Sequence, residues 1–541
     1  MSQTISAPKD ATQIAADAAT KRHVLLIFAG LMVTMLLASL DQTIFSTALP
    51  TIVGQLHGVD QQLWVTTSYI LASTIMLPVY GKLGDLIGRK GLFIGAISIF
   101  IIGSIVGGMA SDMTTLIVGR AVQGLGGGGL MLLSQAIIAD VVPARQRGRY
   151  MGIMGGVFAL SSVAGPLLGG YFTDGPGWRW GLWMNVPLGI LAIASAAFFL
   201  RLPKNTKGKP TIDFAGMALL ALASTGIVLT TVWGGTTYTW DSLTIISLIA
   251  ATVVAGVLFV LVERKAPEPI MPLHLFKHRN FNLTTIAGLI IGVAMFGALG
   301  YLPTYLQMVT GVNATQAGLL LIPLMAGLLV TSIGSGQFVS KTGRYKALPI
   351  IGTIITAGAL ALLSTMTSSM PVWQICAYLA IMGIGLGMAM QILILIVQNT
   401  FPNAEVGTAT ASNNYFRQIG ASVGSAVVGS LFVANLKDLL STKLPSSGGA
   451  AAGGNMNSFT PEKVLALPAA VRDIIVGAYN DALTPVFLYM VPLMLVATVL
   501  LFFVIEKPLA TTIERDVLPE SLEIDGATRV NLDRAEPELV A

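Results

Sequence analysis

Fourteen apolar stretches alternate along the chain with short polar or charged segments, at about 24–49, 63–81, 91–110, 114–140, 150–172, 182–200, 214–234, 242–262, 282–306, 316–338, 347–366, 372–399, 406–433 and 484–505. About 20 helical residues cross the roughly 30 Å hydrocarbon core of a bilayer, whereas membrane-barrel strands are about half as long and alternate in polarity. The pattern therefore predicts an all-α polytopic membrane protein. An even number of crossings puts both termini on one side.

Basic residues select that side. Lys82, Arg89 and Lys90; Arg145, Arg147 and Arg149; Arg201, Lys204, Lys207 and Lys209; Arg264, Lys265, Lys277 and Arg279; and Lys341, Arg344 and Lys346 all fall in alternate loops. Such loops stay cytoplasmic. On the other side only Arg179 occupies a short loop; Lys437, Lys443, Lys463 and Arg472 lie in a loop long enough for the rule to weaken.

Composition removes whole classes of function. With 54% apolar and 11% charged residues, the chain is no soluble enzyme or nucleic-acid-binding domain. The single cysteine, Cys376, is in an apolar run, and the four histidines are at loops or helix ends, so no disulfide, metal site or cofactor is expected. Residues 1–22 read as a cytoplasmic tail without a cleavable signal. Residues 434–483 read as a mostly flexible external linker, in which 461–480 could form a short interfacial helix, and 507–541 as an acid-rich disordered tail.

The charged turn Gly81 to Lys90 has an echo. Gly81, Gly88 and Arg89 match Gly336, Gly343 and Arg344 at an offset of 255, and the same offset pairs Gly152 with Gly407, Gly165 with Gly420 and Gly169 with Gly424. Runs one to six thus repeat as nine to fourteen, giving bundles at 23–201 and 281–506, with runs seven and eight inserted within 202–280. Two equally oriented halves around a central cavity are the plan of a rocking transporter. The acids are unequal between copies. Ser340, Phe296 and Leu395 stand where the first copy has Asp85, Asp41 and Asp140.

Asp41 is the one acid deep inside an apolar run. A charge at that depth costs about 3 kcal/mol or more unless it meets a cavity or a partner, and a buried carboxylate is a natural proton carrier. Arg120 is the expected partner: it lies roughly 9 Å from the outer end of its run and Asp41 roughly 13 Å from its own. The alternative is a fixed interhelical salt bridge. Gly124 to Gly129 fits a dinucleotide fingerprint literally, but no strand precedes it, so it reads as helix packing. Gly152, Gly165, Pro166, Gly169 and Gly170 suggest a bendable contact between the halves. Phe296, Tyr301, Tyr305, Tyr415 and Arg417, with Met295 and Met308, form a candidate cavity suited to flat, lipophilic or cationic guests.

These residues together resemble the fourteen-helix drug:proton antiporters of the major facilitator superfamily, the EmrB/QacA type. Gly81 to Lys90, Arg120 to Gly127 and Gly152 to Gly170 are similar to its loop 2-3, helix 4 and antiporter signatures, with Ser161 replacing a glycine. Leu40 to Pro50 and Trp178 to Pro187 are similar to patterns of the fourteen-helix branch. The resemblance implies that Asp85 faces the N-terminus of the thirteenth helix, that Arg89 pairs with Asp140 to latch the cytoplasmic gate, and that Asp41 and Arg120 serve the proton. It further implies a multidrug efflux antiporter of a bacterial plasma membrane, monomeric, with protons and lipophilic or cationic small molecules as its partners. Export of an endogenous lipid, siderophore or metabolite is the alternative. A non-transporting sensor is a third reading, which the intact acid and gate motif disfavour.

Overall fold

The computed structural model describes residues 11–57, 61–200, 211–235, 237–443, 464 and 467–511. Among the described residues fourteen main helices run back and forth, with a short helix Ala314–Leu320 leading into the tenth: α1 (Ala11–Leu56), α2 (Gln62–Ile87), α3 (Arg89–Gly108), α4 (Met113–Val141), α5 (Ala144–Asp174), α6 (Trp180–Phe199, broken at Met184), α7 (Phe214–Trp233), α8 (Leu243–Glu263), α9 (Arg279–Thr310), α10 (Ile322–Thr342), α11 (Ala347–Leu363), α12 (Val372–Gln398), α13 (Val406–Lys443) and α14 (Ala469–Phe502). Thirteen are long and apolar enough to cross a membrane, and the 17-residue α11 completes the set. The protein is an all-α, fourteen-helix membrane protein.

Lipid gives helices no hydrophobic reason to associate, so small residues must bring backbones close. In α4 the glycine run does this on two sides. Gly124 and Gly128 face the carbonyls of Tyr69 and Ser73 in α2, while Gly126 faces the backbone of Ala96 and Phe100 in α3. A methyl group at any of these positions would collide with main chain. The first six helices enclose one apolar cluster, which includes Leu37, Phe93, Phe100 and Leu133. The last six enclose another, which includes Leu302, Leu324, Leu386 and Phe487.

The halves meet along two seams at the end carrying the basic loops, here called the basic face, and the second continues along α5 to Pro166, which faces Gly318 of the other half. At one, Gly81 of α2 lies on Gly407 and Ala411 of α13. At the other, Gly148 of α5 faces Gly336 of α10, and Ser332 Oγ donates to the Gly152 carbonyl at 3.1 Å. The two connecting turns share a backbone device. Gly88 has φ +92° and Gly343 φ +76°, the region that glycine alone enters without strain.

The pair α7 and α8 packs outside the first seam. Leu220, Phe259 and Met271 cluster with Tyr415 and Ile419 of α13. Lys82 pairs with Glu268 at 2.6 Å, His274 meets Glu405 at 3.0 Å, and the Trp64 and Trp233 rings stand 5.9 Å apart.

The structure corrects several boundaries. Helix α1 begins at Ala11, inside the segment read as a tail, while its candidate membrane span begins at Val24 as expected. Within 434–483, α13 continues to Lys443 and α14 starts at Ala469, so the interfacial helix suggested at 461–480 is largely the beginning of α14; residues 444–463 and 465–466 lie outside the described residues. These extensions are too polar to read as membrane-spanning, yet they pack together: Leu440, Ile475 and Tyr479 are buried, Asn435 donates to the Ala482 carbonyl at 3.2 Å, and Lys443 pairs with Asp481 at 2.9 Å. The glycine-rich stretch 446–454 and the tail 512–541 lie outside the described residues.

Candidate functional site

Asp41 of α1 is fully buried, and both its carboxylate oxygens are occupied. Oδ2 accepts from Arg120 Nη1 of α4, while Oδ1 accepts from Gln123 Nε2 at 2.6 Å and from Asn185 Nδ2 of α6 at 2.8 Å. Ser104 Oγ of α3 accepts from the same two amides, at 2.8 and 3.2 Å, and so fixes their orientation. The Arg120 guanidinium lies between the rings of Phe45 and Tyr69, 4.2 and 4.4 Å from their centroids, and donates to the Val65 carbonyl at 3.3 Å. Only donors point at the carboxylate, which suits an ionised Asp41; a bound proton would introduce a donor where no acceptor waits.

Gln123, Asn185 and Ser104 are not among the residues that the sequence singles out. Gln123 lies three residues after Arg120, on the same helix face, and Asn185 lies in the Trp178 to Pro187 stretch. Those positions carry a signal. Ser104, in an apolar run among many small residues, carries none.

The turn between α2 and α3 makes a second acid site. Asp85 accepts from the Gly407 amide at 3.2 Å and from the Thr408 amide and hydroxyl at 2.6 and 2.7 Å, capping the start of α13 where a helix dipole favours an anion. Arg89 donates to Asp85 at 2.6 Å, to Asp140, and to the Ala136 carbonyl at 2.7 Å. Gly81 and Gly88 supply the close approach and the turn. Just inside this layer Asn414 of α13 donates to Gln135 Oε1 of α4 at 2.8 Å, and Gln398 of α12 donates to the Gln135 carbonyl at 3.2 Å.

The antiporter-like residues of α5 divide. Gly152 faces the other half, but Gly165 packs on Thr43 of α1, whose hydroxyl donates to the Ser161 carbonyl at 3.0 Å, so that part of the motif joins helices of the same half. Pro166, inside the helix, faces Gly318 of the other half, while Gly169 is buried and Gly170 borders open space. The aromatic set is not brought together. Tyr305 donates to Asn480 of α14 at 2.8 Å, Tyr301 stacks near Phe432 at 5.6 Å, and Phe296 packs on the core of the second half. Tyr415 turns outward to Ser224 of α7, 2.9 Å away. Arg417 has no hydrogen-bond, ion-pair or ring partner among the described residues.

Residues 31–425 match the Major Facilitator Superfamily. The chain belongs to this superfamily. An uncharacterized MFS-type transporter of Mycobacterium tuberculosis (strain ATCC 25618 / H37Rv) is 41% identical over 485 residues, covering 90% of this chain and 70% of that protein. The multidrug transporter protein MdtP of Bacillus subtilis (strain 168) is 35% identical over 477 residues, covering 85% and 88%. Multidrug resistance protein 3 of the same strain is 35% identical over 501 residues, covering 91% and 96%. Among solved structures, the proton:xylose symporter XylE aligns with TM-score 0.59 at 14% identity over 91% of this chain and 98% of that one, a likeness of fold. This member of the superfamily is a multi-pass transporter and not an enzyme.

Proposed function

We propose that this superfamily member is a proton-coupled efflux antiporter of the EmrB/QacA type. It works as a monomer in a bacterial plasma membrane, with both termini and the basic face in the cytoplasm, and exports lipophilic small molecules. The named multidrug relatives support the direction and breadth of transport. The expectation of a cationic guest loses its main support, because Tyr305 and Tyr415 turn away from the space between the halves.

The observation that carries the coupling is the Asp41 cage. It holds the one deep acid with donors from two other helices, and a buried pair is strongly destabilised when one partner changes charge. With the basic face shut, protonation of Asp41 from the opposite face removes the charge that Arg120, Gln123 and Asn185 grip. The first half then repacks, the seams at the basic face open, and release of the proton inward regenerates the cage while cargo binds. Asp41→Asn tests this in proteoliposomes: cargo movement driven by a pH gradient is expected to vanish. Gradient-driven transport at the wild-type rate in this variant would overturn the coupling.

A further inference from the structure

Away from helix ends and the polar extensions of α1, α13 and α14, the fourteen helices contain three charged side chains: Asp41, Arg120 and Arg417. The first two neutralise each other. Arg417 has no counterpart. It lies 11 residues into α13, roughly 16 Å from the basic-face end and thus near mid-membrane. An arginine at that depth is costly unless something compensates it.

Its direction follows from its neighbours. Asn413 donates to Thr285 of α9 at 3.1 Å, and Asn414 donates to Gln135 of α4 at 2.8 Å. At about 100° per residue, Arg417 projects about 40° from Asn413 and about 60° from Asn414, between those two directions. It therefore faces the gap between α9 of one half and α4 of the other, where transported molecules pass. The same strip of α13, toward the basic face, carries two buried polar atoms without partners, Thr410 Oγ1 and Asn414 Oδ1.

We propose that Arg417 is an anion-binding subsite, and that the preferred cargo is an amphiphile with a lipophilic body and one acidic head: a carboxylate, sulfonate or phosphate. This deepens the efflux reading and rests on it. A guanidinium presents a planar fork of donors that matches such heads, and the low-dielectric gap strengthens the charge-assisted bonds. The acidic head can belong to a free organic acid or to an anionic lipid.

The test is binding and transport by the full-length protein in phosphatidylcholine vesicles, with the fluorescent lipophilic anion anilinonaphthalene sulfonate and the lipophilic cation ethidium as probes. Arg417→Gln is expected to lower the anion-to-cation selectivity ratio by about tenfold or more, and Arg417→Lys to restore part of it. An unchanged ratio in Arg417→Gln, or equal loss of both probes, overturns the subsite. Competition on the wild-type protein gives a readout free of folding effects: excess toluenesulfonate is expected to displace the anionic probe and tetraphenylphosphonium to leave it bound. The reverse order overturns the proposal. Phosphatidylglycerol added to the vesicles separates the two sources: competition with the probe assigns the subsite to a lipid head, and its absence to a free acid. Binding needs no gradient. Anion binding that persists without pH-driven transport therefore refutes the coupling mechanism and leaves the subsite standing.

Discussion

The two seams at the basic face are copies of one device with different chemistry. At α2 and α13, Asp85 caps the incoming helix with three hydrogen bonds and is held by Arg89, which also grips Asp140. At α10 and α5, Ser340 occupies the place of Asp85 and accepts one bond, from the Arg149 amide at 3.2 Å. Arg344, the copy of Arg89, is exposed and makes no ion pair among the described residues, since Leu395 stands where Asp140 would be. What remains there is close backbone packing, Gly148 on Gly336, with Arg145 donating to the Lys341 carbonyl at 3.1 Å. Glycine fixes the shape of both seams, whereas charge secures only one. The first seam thus depends on individual charged side chains, which one substitution can remove, whereas the second is a main-chain contact.

The sharpest break in this comparison is Asp41→Asn, which removes the titrating group from the active half. pH-driven transport is expected to fall to the level of empty vesicles, while counterflow of cargo without a gradient survives. Next comes Asp85→Asn. Weakening this buried, charge-assisted cap by about 1–3 kcal/mol is expected to favour opening of the basic face. Faster labelling of a cysteine placed at Thr410, in a Cys376→Ser background, would show it, together with slower turnover. Unchanged labelling would mean that the acid does not latch the seam.

Ser340→Asp sharpens the contrast from the other side. A carboxylate beside the basic side chains of Arg145 and Arg149 gains at most about 1 kcal/mol from ion pairing at this partly exposed position, so cysteine labelling should slow by no more than several-fold. The smallest effects belong to the turns. Gly88→Ala and Gly343→Ala should each lower stability by roughly 1–2 kcal/mol through their positive φ, measured as a fall in melting temperature in detergent. Gly88→Ala should be the more harmful, because ψ 146° places Gly88 beyond the left-handed helical region, whereas ψ −4° leaves Gly343 near it.

Much of this architecture is legible in the amino-acid sequence alone. A residue's depth in a membrane follows from its count along an apolar run, so Asp41 and Arg120 can be matched as partners. The offset of 255 predicts two related turns, and both adopt positive φ at glycine. The ends of α13 and α14 are not legible in this way, because Leu440, Ile475 and Tyr479 lie among polar residues and find their apolar surroundings only through tertiary packing, as where Tyr479 meets Phe432.

The sequence by itself determined the number of helices, the face that carries positive charge, and the unequal share of acids between the two copies. These depend on position along the chain, which hydropathy and charge report directly. Tertiary structure decided azimuth. Each helix turns by about 100° per residue, and apolar side chains face lipid and protein alike, so no period in the sequence tells which way Tyr415 or Arg417 points. Packing against α4, α7 and α9 sets that rotation. It sends Tyr415 out to Ser224, turns Arg417 into the gap between the halves, and closes Gln123, Asn185 and Ser104 around the one deep acid.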